Sequence, residues 1–401
     1  MDKRIVVSGI GVITSNGNNK EEYLNNLLNG VSGLKKCNLF DASRLKTEYV
    51  GEIENAEFPY LTENQNDKER ITYIMERAID EAFEDAKISV DEVSQYNERA
   101  YLAFATSLAA NGRIMSYVRD ERNGKCEPEW LTQIPSFVPW IKEKCGIKGG
   151  CYTTMSACAA GTTAAGIAYD LIQSGKADMV IAGGADPLTE FSCTGFHVLK
   201  SLSEGQCKPF DNNRDGINLG EGGAFFVIET MESAKKRGSH IYGEILGYGI
   251  NNDAYHITSP SPDGVGALAS MEMAMAHTEV SKDAVDYINA HGTGTSLNDK
   301  MEVDAINNFF GKDKHLYVAS NKSMIGHCLA AAGAVEMAAT LLCLKNDCIA
   351  PNIRLTDKMD VSEAHDFLTE KVETKVNYAL SNSYAFAGNT ASILLGRVEN
   401  E

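Results

Sequence analysis

The sequence predicts an α/β fold with buried, largely parallel sheets, and three observations carry that expectation. Short β-branched or apolar runs alternate with longer helical patterns along the chain. The composition, 43% apolar and 23% charged, is that of an ordinary globular protein. The third observation is the lack of any low-complexity segment or solenoid period, so the alternation describes one packed body. With 401 residues, two or three domain-sized units or one large α/β fold are possible.

Taken in order, IVVS at 5–8 follows Lys3 and Arg4 and reads as a first strand entering a turn at Gly9 and Gly11. Those glycines also interrupt what would otherwise pass for a short signal peptide, and no small-residue cleavage site follows. Helix-period patterns occupy 70–86, 159–173, 266–277, 299–310 and 329–344. Further strands are expected at 101–106, 179–182, 225–229, 241–247, 285–289, 316–319, 378–381 and 392–396. No run offers the roughly 20 apolar residues of a membrane span, and a cytoplasmic protein without a membrane partner is expected. The charged stretch at 235–238 follows a helix and precedes a fresh strand, dividing the chain into 1–238 and 239–401. A faint echo crosses that boundary: Met155-Ser-Ala-Cys158 and Met324-Ile-Gly-His327 each follow a strand and precede an Ala/Gly-rich helix. Two similar halves would place Cys158 and His327 at equivalent helix starts.

Thirty-seven basic against 55 acidic residues give a net charge of −18, which speaks against nucleic-acid binding because phosphate neutralisation needs a basic face. An acidic protein partner would need a local basic patch. Ten cysteines without a C-x-x-C pair read as reduced thiols.

Cys158 in TMSACAAGTTAAG stands where a polar turn becomes a small-residue helix. The positive end of a helix and its unpaired N–H groups lower a thiol pKa and can hold an oxyanion. Cys158 is therefore a candidate nucleophile, with an inert core thiol as the alternative. His291 in YINAHGTGT is followed by Gly292 and Gly294, which permit close backbone approach to a ligand, and by the hydroxyls of Thr293 and Thr295. A turn histidine and a catalytic one are both compatible with that setting. His327 in SNKSMIGHCLAAAGAVE lacks zinc-site spacing, so acid–base or hydrogen-bond work is expected and no metal. Lys322, in the same segment, would be costly if buried alone and is expected to pair with Glu336 or Glu302. Tyr384 and Phe386 in NSYAFAGNTASI are either core filling or a mobile gate.

Together these segments, with IVVSGIGVIT, ADMVIAGGAD, KPFDNNRDGINLGEGG, DAYHITSPSPDG and NAHGTGTSLNDKMEVDA, resemble the β-ketoacyl-acyl carrier protein synthases of the elongating Cys-His-His branch along nearly the whole chain. The resemblance implies a thiolase fold, two pseudo-symmetric halves in five α-β-α-β-α layers. It implies a decarboxylative Claisen condensation of an acyl chain on Cys158 with malonyl-acyl carrier protein, in fatty acid or polyketide and polyene synthesis. His291 and His327 would face the malonyl thioester, with Lys322 and Glu336 as a supporting ion pair and Asp299 and Glu302 in the acidic segment nearby. Thr293 and Thr295 would contact the phosphopantetheine arm of the carrier, the protein having no cofactor of its own. The Phe386 gate would share an oxyanion hole with the Cys158 N–H, and Lys200 and Arg70 would dock the acyl carrier protein. A homodimer is implied, or a heterodimer with a paralogue.

The gate departs from the family's Gly-Phe-Gly-Gly, reading Ala385-Phe386-Ala387-Gly388, and either alanine would need an altered backbone if its position requires positive φ. The segment GINLGEGG leans toward a specialised pathway. A thiolase-type transferase, which uses two cysteines, fits less well because NSYAFAG holds none. A chain-length partner subunit would lack the nucleophile.

Overall fold

The computed structural model of the chain describes residues 3–54, 70–109, 111–124, 137–276 and 278–399. Eleven strands form its main sheet: β1 Ile5–Thr14, β2 Ala100–Ala105, β3 Cys151–Thr154, β4 Met179–Asp186, β5 Gly222–Thr230, β6 Gly243–Asn252, β7 Tyr287–Asn289, β8 Leu316–Ala319, β9 His365–Phe367, β10 Tyr378–Tyr384 and β11 Asn389–Gly396. Six helices place the site: α1 Arg70–Ala86, α2 Ala160–Gln173, α3 Glu190–Val198, α4 Val265–Met275, α5 Ser296–Phe310 and α6 Ala332–Asn346. The expected helix at 266–277 thus ends early, and residue 277 lies outside the described residues.

The strand order is β9-β8-β7-β10-β11-β6-β1-β5-β4-β2-β3. Outward from β1, the pairings to β5 and on to β4 are antiparallel, and β2 and β3 follow in parallel. Outward from β6 the same sequence repeats: β11 and β10 antiparallel, β7 and β8 parallel. The two copies join where β1 meets β6 antiparallel through Ile5, Val6 and Val7. The sheet is therefore mixed rather than largely parallel. Helices cover antiparallel strands on both faces here, so those strands carry the continuous apolar runs that usually mark parallel ones.

Helix α1 covers β1 and β5 on one outer side, and α4 covers β6 and β11 on the other, with α5 packed beside it. Helices α2 and α6 lie between the halves against each other and against strands of both, which completes five α-β-α-β-α layers. The strand β1 continues through Gly9 and Gly11 instead of turning, because a side chain at either would collide with the α1 backbone at Ala82 or Ala78. The central pair repeats this device reciprocally. A Cβ on Gly161 would lie 2.5 Å from the Ala334 nitrogen, and one on Gly333 would lie 2.7 Å from that of Thr162. The stretch Leu329–Asn346 is long and apolar enough by length and composition to cross a membrane, and 89% of it is buried inside the protein as a core helix.

The two central helix starts correspond, with a different register from the one expected. Ala157 opens the turn before α2 with φ 49°, and Leu329 opens the turn before α6 with φ 52°. Gly161 and Gly333 each follow four positions later, so the counterpart of Cys158 is Ala330 and not His327. The echo between the Met155 and Met324 segments is displaced by three residues, because small residues crowd both turns and periodicity alone does not fix their alignment.

Candidate active site

The turn before α2, the segment leading into the turn before α6 and the loop after β7 bring Cys158, His327 and His291 to one place. Cys158 is 8% exposed, His291 and His327 are each 2% exposed, and a ligating atom of each lies within 4.8 Å of the others. The imidazoles meet edge to face with ring centroids 5.2 Å apart, and the Tyr384 ring stands 6.0 Å from His291.

Backbone and charge fix which ring nitrogens carry protons. The Leu329 N–H donates to His327 Nδ1 at 3.0 Å, leaving the proton on Nε2. Lys322 Nζ lies 3.1 Å from His291 Nδ1 and donates to the His291 carbonyl at 2.5 Å. An ammonium has only donors, so His291 accepts at Nδ1 and is also the Nε2–H tautomer. Burial first, and Lys322 second, hold both imidazoles well below the usual histidine range. Both are neutral hydrogen-bond donors at physiological pH.

Lys322 pairs with Glu336, one of the two carboxylates the sequence offered; both side chains are 1% exposed. Burial lifts the Glu336 carboxyl to about 7 against the opposing pull of Lys322. Glu302 has a different task, accepting the N–H groups of His291 and Gly292 at 2.8 Å each, and burial raises it to about 8. Asp299 braces the same loop through the N–H groups of Thr293, Gly294 and Phe210. Lys322→Met is expected to cost about 3–5 kcal/mol, because it leaves Glu336 buried without its counter-ion. Denaturant unfolding measures this, and a loss below about 1 kcal/mol would contradict the pairing.

Burial pushes the Cys158 thiol up to about 12, and Lys322 pulls it the other way, the direction also expected of a helix start. Two imidazoles and a thiol are donors that zinc accepts, but the Lys322 ammonium beside His291 opposes a second cation there.

A cavity of about 320 Å³ is lined by these three residues, by Thr293 and Thr295, and by the exposed Lys200 and Leu297. The threonine hydroxyls lie 2.9 Å apart. Thr295 also caps α5 by accepting from Asn298 N–H. Phe386 lies on the cavity wall and stacks on Phe196 of α3, centroids 5.5 Å apart. Ala385 is extended, whereas Ala387 has φ 59°. That left-handed alanine is held by its N–H to the Ile257 carbonyl at 2.9 Å and by Asn252 Nδ2 to its own carbonyl at 2.7 Å.

Lys200 is exposed where it lines the cavity, but Arg70 is not a docking residue. Arg70 is 4% exposed, and its guanidinium grips Glu221 and donates to the Ile53 carbonyl at 2.8 Å. A cation in DKERIT reads as solvated until packing shows that α1 turns it inward. Sequence reasoning also missed Phe196, four positions before Lys200, since a single aromatic residue carries no mark of the ring it stacks against.

A thiol and two neutral imidazoles gathered where two matching α/β halves meet define an acyl-transferring enzyme of the thiolase fold. Residues 2–234 match the N-terminal domain and residues 242–356 the C-terminal domain of β-ketoacyl synthase, and the chain belongs to that family. It is 34% identical to 3-oxoacyl-[acyl-carrier-protein] synthase 2 of Staphylococcus aureus (strain COL), over 99% of both chains. It is 32% identical to the protein of that name in Synechocystis sp. (strain ATCC 27184 / PCC 6803 / Kazusa), over 98% of this chain and 97% of the other. Among solved structures, the ishigamide ketosynthase/chain length factor superposes with TM-score 0.91 at 30% identity, covering 100% of each chain.

Proposed function

We propose that the protein condenses an acyl chain held on Cys158 with malonyl-acyl carrier protein, releasing carbon dioxide and giving β-ketoacyl-acyl carrier protein. The observation that carries this reading is the meeting of one thiol with two imidazoles whose Nδ1 atoms are already engaged, which leaves Nε2–H free to donate. Transfer to Cys158 keeps the acyl group a thioester, electrophilic enough for later attack. Loss of carbon dioxide then leaves an enolate, which the His291 and His327 donors stabilise where the charge develops. The enolate carbon attacks the acyl carbonyl, and the backbone N–H groups of Cys158 and Phe386 receive the oxyanion. Lys322 and Glu336 hold His291 in its donor tautomer, and Asp299 and Glu302 hold its loop.

Thr293 and Thr295 bind the phosphopantetheine arm in the cavity, and the Phe386 gate opens for it. The relatives' names and a solved complex of a type II PKS acyl-carrier protein with its ketosynthase support the carrier as donor. Either a homodimer or a pairing with a paralogue serves this reading, and Cys158 itself speaks against a purely chain-length-setting subunit. In this reading the functional halves are 1–238 and 239–401, and a family match that ends at 234 and another that begins at 242 support that division. Unpaired cysteines among the described residues support a reducing, cytoplasmic setting.

Incubation with acyl- and malonyl-acyl carrier protein tests the reaction. A β-keto product two carbons longer, with one carbon dioxide per turnover, is expected; its absence with every acyl primer tried would overturn the reading. Lys200 is the remaining docking candidate against a carrier of the same sign as this chain. Lys200→Glu is expected to raise the carrier KM about three- to tenfold at low salt and to leave turnover of a small pantetheine thioester unchanged, since exposed charges act within about a Debye length. An unchanged carrier KM at low salt removes Lys200 from that surface.

A further inference from the structure

Asp186 ends β4, is fully buried and belongs to neither histidine loop. Its Oδ1 accepts the Thr106 hydroxyl at 2.7 Å and the N–H groups of Ser107 and Leu108 at 3.0 Å. Its Oδ2 accepts the Ala330 N–H at 2.8 Å. Ala330 is the counterpart of Cys158, one residue after the left-handed opening of its turn. The N–H proposed to receive the oxyanion at Cys158 thus has a counterpart, at Ala330, that donates to a carboxylate of the protein.

We propose that Asp186 is a positioning residue for His327: its carboxylate fills the duplicate of the oxyanion site and pins the turn that fixes the His327 tautomer. The link is one residue long. Ala330 N–H is held by Asp186, and the preceding Leu329 N–H is the donor to His327 Nδ1. Leu329 holds φ 52°, a backbone state an L-residue leaves readily unless held, and the Asp186 bond to the next amide is such a hold. Burial raises the Asp186 carboxyl only to about 6, so it remains an anion at neutral pH, as four converging donors require.

This inference rests on the proposed enolate chemistry, and a parent enzyme that neither loads acyl groups nor decarboxylates malonyl carrier would refute that chemistry rather than this role. The test times acyl loading of Cys158 and malonyl decarboxylation separately. Asp186→Asn puts an amide N–H against a backbone donor and is expected to slow decarboxylation at least about tenfold while loading changes less than about threefold, as a displaced donor does. Asp186→Glu is expected to recover most of the loss, and ¹⁵N-histidine NMR of the parent to report an unprotonated His327 Nδ1. Thr106→Val keeps the charge but frees one contact of the carboxylate, so it serves if Asp186→Asn does not fold, with a loss of about threefold in decarboxylation alone. Equal losses in both steps, no change in Thr106→Val, or a protonated Nδ1 on His327 overturns the proposal.

Discussion

Cys158→Ala is expected to abolish the acyl-enzyme adduct and to lower condensation more than about a thousandfold, since a nucleophile acts as a unit with its site. The folded state is expected to change by about 1 kcal/mol at most, a small loss for removing one sulfur from a packed turn. Burial pushes the Cys158 thiol up to about 12, with Lys322 opposing. In the proposed transfer, the two imidazoles and Lys322 are the groups that would meet charge developing on the sulfur. Condensation at the parental rate in the alanine variant would remove Cys158 from the reaction.

His327→Ala is expected to slow malonyl decarboxylation by about a hundred- to thousandfold, or ~2.7–4 kcal/mol, with a much smaller effect on loading of Cys158. His291→Ala should behave alike, because both rings offer an Nε2–H to the same developing enolate. Both folded-state pKa values lie well below that of an unfolded histidine. Their contribution to stability is therefore present above about pH 6.5 and lost as pH falls below it, while the rings themselves remain neutral donors. Titration of these two rings is accordingly expected to add no step to the decarboxylation profile between about pH 8 and 6.5, where, among the groups of the site, only Glu302 and Glu336 change charge. Collapse of loading with decarboxylation intact in both variants would reverse the assigned roles.

The site was largely legible in the sequence because its residues sit at strand exits and helix starts, where glycine, threonine and small-residue runs leave a local mark. Lys322 was readable from cost alone: a lysine among small residues needs a carboxylate, and the structure chooses Glu336 over Glu302. Strand direction was not legible, since β5 and β11 are covered on both faces and are as apolar as parallel strands. Arg70 and Asp186 were misjudged or missed for a related reason. Each meets its partners across the fold, Arg70 at Glu221 and Asp186 at Ala330, and pairing between distant segments has no local spacing to read. The echo between the halves was real in kind but displaced in register, because only the positive φ of Ala157 and Leu329 marks equivalent positions.

The loop that carries Phe386 holds a costly backbone position. Ala387 adopts the left-handed backbone that glycine takes freely, at a cost of about 1–2 kcal/mol for an L-residue, and Asn252 and the Ile257 carbonyl hold it there. Loop movement at Phe386 must break those two contacts together with the stack on Phe196.

The most direct test of the account is peptide-resolved mass spectrometry of the parent enzyme after incubation with an acyl-acyl carrier protein, followed by a chase with malonyl-acyl carrier protein. One acyl thioester on the peptide bearing Cys158, cleared by the chase as β-ketoacyl product appears, is the predicted result. An acyl group on a different residue, or product formed without any adduct on Cys158, would contradict it.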